Sequence, residues 1–378
     1  MASKPPFHAD QVGSLLRPEK LKAAREKFLG PQTHDRNLGA HDNAELRAVE
    51  DECIREVVAM QERAGLQAVT DGEFRRRSWL SELVLSFQGF AADRYGMRDM
   101  MWRNDAGATQ ESSTIRLTGP IRRTTSPILR AFEFLKATTR AVPKVTLPAP
   151  SVIHFVMGGS KGIEASIYRD ADAFWEDLVA AYRQEIAALI AAGATYIQLD
   201  ETAIPFLCDA AHRATVKKWG EDPDALLRLY AEKISACTAE VPDHVTVTLH
   251  QCRGNREGQW MAEGGYDPVA EVLFNAIDVD GYFLEYDTAR AGGFEPLRLM
   301  PKGKIAVLGL VSSKRPALES ADELMRRIEA AGKYIPVEQL ALSPQCGFAS
   351  SIKGNPLTER DQQAKLERIV EVAHKVWG

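Results

Sequence analysis

Short β-rich runs alternate with longer amphipathic stretches along most of this chain, a pattern that leaves few folds open. The clearest runs are KVTLPAP (144–150), ATYIQLDE (194–201), HVTVTLHQC (244–252), DGYFLEYD (280–287), GKIAVLGLVSS (303–313) and QLALSPQCG (339–347). Two fainter ones, FHADQVGSL near residue 10 and LQAVTDGE (66–73), bring the number to eight. Between them, residues 43–65, 170–193, 223–240, 320–333 and 358–377 carry apolar residues at i, i+3 and i+4, the helical period. Strands at this spacing must run parallel, because a parallel pair needs a long crossover and the crossover is usually a helix. Eight such units predict an α/β chain folded as one closed (β/α)8 TIM barrel over residues 1–378.

A doubly wound sheet is the structural rival, but no glycine-rich phosphate fingerprint follows any run. The nearest stretch, MGGSKG at 157–162, lacks the required spacing. Residues from about 85 to 130 are rich in Arg, Met and aromatics and carry no helical repeat, so they read as a hairpin or lid insertion in an early βα loop. The charge balance, 47 Lys and Arg against 52 Asp and Glu, gives no electrostatic reason to expect nucleic acid. The first residues lack the apolar core of a signal peptide and no stretch is long and apolar enough for a membrane span, so the expected location is the cytoplasm. Five cysteines, Cys53, Cys208, Cys237, Cys252 and Cys346, are too few and scattered for a disulfide framework and read as reduced thiols.

In a barrel of this kind chemistry sits at the C-terminal ends of the strands. The run ending in HQC presents His250 and Cys252, two residues apart and so on one face of an extended strand. The next ends in Glu285-Tyr286-Asp287 and the last reaches Cys346. One imidazole, two thiols and a carboxylate suit Zn²⁺, which takes nitrogen, sulfur and oxygen in a tetrahedron, and suit Mg²⁺ or Ca²⁺ poorly. Asp287 competes with Glu285 for the oxygen position, and a buried cysteine on its own is more often a small core residue than a ligand. His8, His154 and Cys208 also lie near strand ends and read as packed side chains.

Taken in order, VGSLLRP (12–18), TDGEFRR (70–76), IQLDET (197–202), HQC (250–252), FLEYD (283–287) and SPQCG (343–347) resemble the catalytic barrel of the cobalamin-independent methionine synthase family. The likeness runs through almost the whole chain and is that of a short, single-barrel relative. It implies zinc ligands at His250, Cys252, Glu285 and Cys346. It further implies that Glu73 and Asp200 hold the amino group of a thiol amino acid, and that Gly13 and Ser14 hold its carboxylate. Glu201 and Arg253 are additional substrate-facing candidates, the latter at a mouth shared with Asn255 and Arg256 that suits an anionic group. Each has a plainer reading: Glu73 paired with Arg75 to Arg77 on a solvated face, Asp200 and Glu201 capping the next helix, and the arginines of 253–256 in a solvated loop.

The expected chemistry follows from thiol acidity. A free thiol has a pKa near ~8.5, so little is the nucleophilic thiolate at neutral pH, whereas coordination to zinc deprotonates it. Glu285, the hard oxygen donor among soft ones, is the ligand expected to yield to the incoming thiol. The resemblance departs at LGLVSSKRP (308–316): family members that use folate carry a histidine there, and this chain has Ser312, Ser313 and Lys314. Lys314 therefore stands as the candidate acid, unless the donor needs none. The expectation is a zinc-dependent methyltransferase making methionine from homocysteine and a small-molecule methyl donor, as a monomer or homo-oligomer. Alkyl transfer to another thiol from a corrinoid-bound methyl, a methylated thiol, a sulfonium or an epoxide is the alternative within the enzyme class. A noncatalytic zinc- or thiol-binding barrel is the alternative outside it.

Overall fold

Seven of the β-rich runs form parallel strands: β1 (Ala68–Val69), β2 (Val142–Pro148), β3 (Tyr196–Glu201), β4 (Thr246–Gln251), β5 (Gly281–Glu285), β6 (Ile305–Val311) and β7 (Leu340–Pro344). They hydrogen-bond side by side in chain order in a computed structural model describing residues 4–30, 40–93, 101–104, 107–111 and 114–378. Strands β3 to β7 are buried almost throughout, as strands covered on both faces by crossovers must be. The register sets residues of the strand ends side by side: Asp200 pairs with His250, and Gly309 lies between Glu285 and Ser343. This is an α/β fold whose parallel sheet is consistent with a TIM-barrel-like architecture.

The amphipathic stretches are helices with legible ends. Ala44–Arg63, Ala171–Ala191, Pro223–Thr238, Ala321–Ala331 and Glu359–Trp377 begin after Asn43, Asp170, Asp222, Ser320 and Thr358, each of which caps with its side chain. Thr358 and Asp361 complete a reciprocal capping box. Among the described residues no helix is long and apolar enough to cross a membrane.

The expected eighth strand near residue 10 does not form. Ala9 makes one parallel bridge to Leu342, through the Asp10 and Leu342 amides, and between residues 10 and 13 the backbone is taken up largely by side chains. Asp10 accepts from the Phe7 and Gln11 amides; Lys144, Gln198 and Thr70 donate to the carbonyls of Gln11, Val12 and Gly13. Val12 then packs with Phe283, Val307 and Ala341 from three neighbouring strands. Beyond that bridge the carbonyls of Gln11, Val12 and Gly13 are taken up by buried side chains and cannot extend a ladder, which is why β propensity failed to produce a strand here.

The 85–130 stretch contains two antiparallel pairs outside the parallel sheet, Phe87–Asp93 with Thr114–Arg123 and Met101–Asn104 with Gly107–Glu111. Parts of it lie outside the described residues. Arg103 exchanges two backbone hydrogen bonds with Trp260, tying the inner pair to the loop after β4. In the MGGSKG stretch, the Ser160 amide donates to the Glu221 carboxylate, so an internal anion occupies this turn.

Candidate functional site

Strand β4 delivers His250 and, one residue past its end, Cys252; the loop after β7 delivers Cys346. One ligand atom from each lies within 4.8 Å of the others, and all three residues are buried. The two sulfurs are 3.4 Å apart and unbridged. Among the described residues neither ring nitrogen of His250 has a hydrogen-bond partner, although the ring is near enough to the Cys252 thiol to favour its thiolate. The hydrogen bond with Cys346, followed by burial, nevertheless pushes the Cys252 thiol well above its ordinary range. Two soft sulfurs and an orphaned imidazole fit Zn²⁺: a cation would satisfy the ring and hold both thiols deprotonated.

The trio opens on a cavity of about 200 Å³ whose wall also includes Glu73, Asp200, Ser14 and Asn255. Glu73 adopts a left-handed backbone, φ 59°, unusual for a residue with a side chain. Its Oε1 accepts from Thr146 at 2.7 Å and stands 3.5 Å from Arg76, while its buried Oε2 has no partner among the described residues. Asp200 accepts from Gln198; burial pushes its carboxyl up to about 7, with His250 opposing and Glu73 reinforcing the rise. Gly13 is required by contact: at φ 145° an added Cβ would stand 2.7 Å from the Thr146 methyl and 3.3 Å from Glu73 Oε1.

Other candidates lie elsewhere. Glu285 is not in the trio; its Oε1 accepts from Arg290 at 2.7 Å and its Oε2 from the Arg253 amide at 2.9 Å. Burial favours its neutral form, but Lys314, Arg253 and Arg290 outweigh that and hold it well below the usual carboxylate range. Lys314 Nζ is 3.7 Å from Glu285 and, like Arg253, is absent from the cavity wall. Arg253 is fully buried, lies 4.2 Å from the Tyr266 ring centre and donates to the carbonyls of Gly264 and Glu285. The alternation of β3 separates Asp200 from Glu201, which accepts from Ser151 and from the Ile204 amide and so caps the short helix Ala203–Phe206. Asp287 accepts from Ser312. His154, hydrogen-bonded to Tyr230 among aromatic rings, and Cys208 are packed residues; His8 stacks on Trp377.

Arg17, which the sequence reading does not single out, and Arg76, which it places with Arg75 and Arg77 beside Glu73 on a solvated face, are both buried parts of the site. Arg17, in VGSLLRP, is buried and donates to the carbonyls of Ala349, Glu73, Arg76 and Leu15, lashing three site loops together. Arg76, in TDGEFRR, donates to the Thr146 carbonyl beside Glu73. Asn255 joins the walls by donating to the Gly347 carbonyl and accepting from Asn355. A charged residue inside a short motif was the available signal; its partners are distant in sequence and could not be seen.

Residues 31–375 match the family model described as the catalytic domain of cobalamin-independent synthase. A Bacillus subtilis protein named as uncharacterized YxjG is 41% identical over 99% of this chain and 96% of its own length. The 5-methyltetrahydropteroyltriglutamate–homocysteine methyltransferase of Bacillus licheniformis is 22% identical over 97% of this chain, which spans only 42% of that enzyme. A Listeria monocytogenes structure, provisionally named a vitamin-B12-independent methionine synthase, is 32% identical with a TM-score of 0.73, covering 99% of this chain and 98% of its own.

Proposed function

The chain belongs to the catalytic-domain family of the cobalamin-independent synthases, and from that premise we propose that it is a zinc-dependent S-methyltransferase that methylates homocysteine to methionine. The observation that carries this reading is the meeting of His250, Cys252 and Cys346 on a cavity wall shared with Glu73 and Asp200. Zn²⁺ held by the trio would supply the acceptor sulfur as thiolate at neutral pH. The chain's own residues place that sulfur. The free oxygen of Glu73 and the carboxylate of Asp200 hold the ammonium group of the acceptor, and the Gly13–Ser14 turn holds its carboxylate. Glu285 and Lys314 are the remaining participants, one as the yielding oxygen donor and the other as the acid.

Transfer forms a carbon–sulfur bond, and the donor leaves with the electron pair of its methyl bond. An amine donor such as methyltetrahydrofolate leaves well only if protonated. Lys314 is the acid the chain offers, but it lies against Glu285 and outside the cavity wall. That placement favours a second reading, in which the same thiol attacks a donor whose leaving group needs no prior protonation: a corrinoid-bound methyl, a sulfonium, or a methylated thiol that leaves as thiolate; an epoxide belongs with them only if water protonates the alkoxide its opening leaves.

Metal content of the unaltered protein and of C252S and C346S tests the core of the proposal: zinc should be bound stoichiometrically and lost from both variants, and unchanged metal in both refutes it. Turnover of homocysteine with methyltetrahydrofolate mono- and triglutamate, methylcobalamin, a methylated thiol and a sulfonium then separates the two donor readings. A Co²⁺-substituted protein whose spectrum ignores added thiol would indicate a closed, noncatalytic site.

A further inference from the structure

Glu285 at the end of β5 rests on cations and an amide. Besides the 2.7 Å contact to Arg290 and the Arg253 amide on its other oxygen, Lys314 stands at 3.7 Å, beyond hydrogen-bond distance. Arg290 is itself fixed in place. It sits in the turn Ala289–Ala291, its carbonyl accepts from the Gly264 amide at 3.0 Å, and its guanidinium carbon is 4.5 Å from the centre of the Trp260 ring. Trp260 is held by its backbone pair with Arg103 and by an indole hydrogen bond to Glu263. The side chain of Arg290 is only 11% exposed, and it also faces Asp287 at 3.8 Å.

We propose that Arg290 is a positioning residue that receives the Glu285 carboxylate and keeps it off the His250–Cys252–Cys346 trio, so that a metal held there retains a coordination position for the acceptor thiol. The inference rests on the zinc–thiol reading above and adds what sets ligand exchange. Glu285 and the thiol compete for one position. A carboxylate bound to a metal would have to leave Arg290, and a carboxylate bound to Arg290 leaves the position open. Arginine suits the task because it stays charged when buried and its planar fork holds an oxygen in a fixed direction. Its stacking on Trp260 supplies a rigid backing that a lysine would lack.

The test uses the 378-residue chain and two readouts, Zn²⁺ affinity by chelator competition and the homocysteine concentration that half-saturates the spectral change of the Co²⁺ form. Groups that orient metal ligands typically change affinity by about 10- to 100-fold, so R290M, which removes the shortest of the contacts holding Glu285, should bind Zn²⁺ tighter by about that factor. It should also need correspondingly more homocysteine. In E285Q/R290M both changes should vanish, and R290K, which retains charge on a single donor, should shift both in the same direction by less. Unchanged or weaker Zn²⁺ binding by R290M with a native melting profile overturns the inference, as does a gain that survives E285Q. If R290M does not fold, R290K decides, and an R290K protein indistinguishable from the unaltered one overturns it. Failure of the unaltered protein to bind zinc at all instead refutes the function proposed above, and this inference falls with it.

Discussion

Replacing Glu73 by Gln removes one charge from the cavity while leaving the shape of the wall. The amide oxygen can still accept from Thr146, and the backbone at φ 59° is no less strained for Gln than for Glu. What is lost is a charge-assisted hydrogen bond that the acceptor's ammonium group donates to Oε2, an oxygen without a partner among the described residues. Hydrogen bonds to charged groups are worth about 1.5–3 kcal/mol, which corresponds to a loss of roughly 10- to 150-fold in thiol affinity. Arg76 keeps its bond to the Thr146 carbonyl but loses its buried ion pair with Glu73, so the melting temperature should fall as well, equally with and without thiol. The assay is a spectral titration of the Co²⁺ form of E73Q and of the unaltered protein, each with homocysteine and with the same thiol lacking its amino group. Homocysteine should weaken by the stated factor and the deaminated thiol should bind both proteins alike. Equal weakening of both thiols would refute the assignment of Glu73 to the ammonium group and leave only a packing role.

Three more outcomes are expected. Burial raises the Glu201 carboxyl from 4.5 to about 7, so between those values the folded protein binds more protons than the unfolded chain and stability falls as pH rises, by up to ~3 kcal/mol. Urea denaturation should show that slope shrink in E201Q, and an identical slope would refute it. Gly13→Ala forces a Cβ into a left-handed backbone and onto Thr146, which should cost about 1–3 kcal/mol and weaken thiol binding; a variant that melts and binds like the parent would show that the contact relaxes freely. Removing metal with a chelator should lower the melting temperature of the unaltered protein, and should leave C252S and C346S unmoved, because a ligand stabilises only the state that binds it.

Local signals carried much of the fold. Helix caps such as Asp170, Asp222 and Thr358 act on amides two or three residues away, so their positions and the apolar period were visible along the chain. The six strongest β runs appear as strands for the same reason. The stretch around Ala9 misled because its amides and carbonyls are claimed by Asp10, Lys144, Gln198 and Thr70, and the latter three are 57 or more residues distant from the groups they bind.

The site divides along the same line. Which residue types carry the chemistry, and that His250 and Cys252 share a face, follow from composition and the two-residue period of a strand. Whether Cys346 meets them, which neighbour on β3 faces the cavity, and where Glu285 points depend on strand register and on cations from other loops. Arg253 looked like a substrate ligand and is a buried clamp; Glu201 looked like a substrate-facing residue or a helix cap, and it accepts from the Ile204 amide at the start of the next helix. By itself the sequence determined the elements, the family resemblance and the inventory of donors, because these are properties of near neighbours along the chain. Only the tertiary structure decided which side chain points to the cavity and which charge is neutralised elsewhere, because those depend on partners that only the fold brings together.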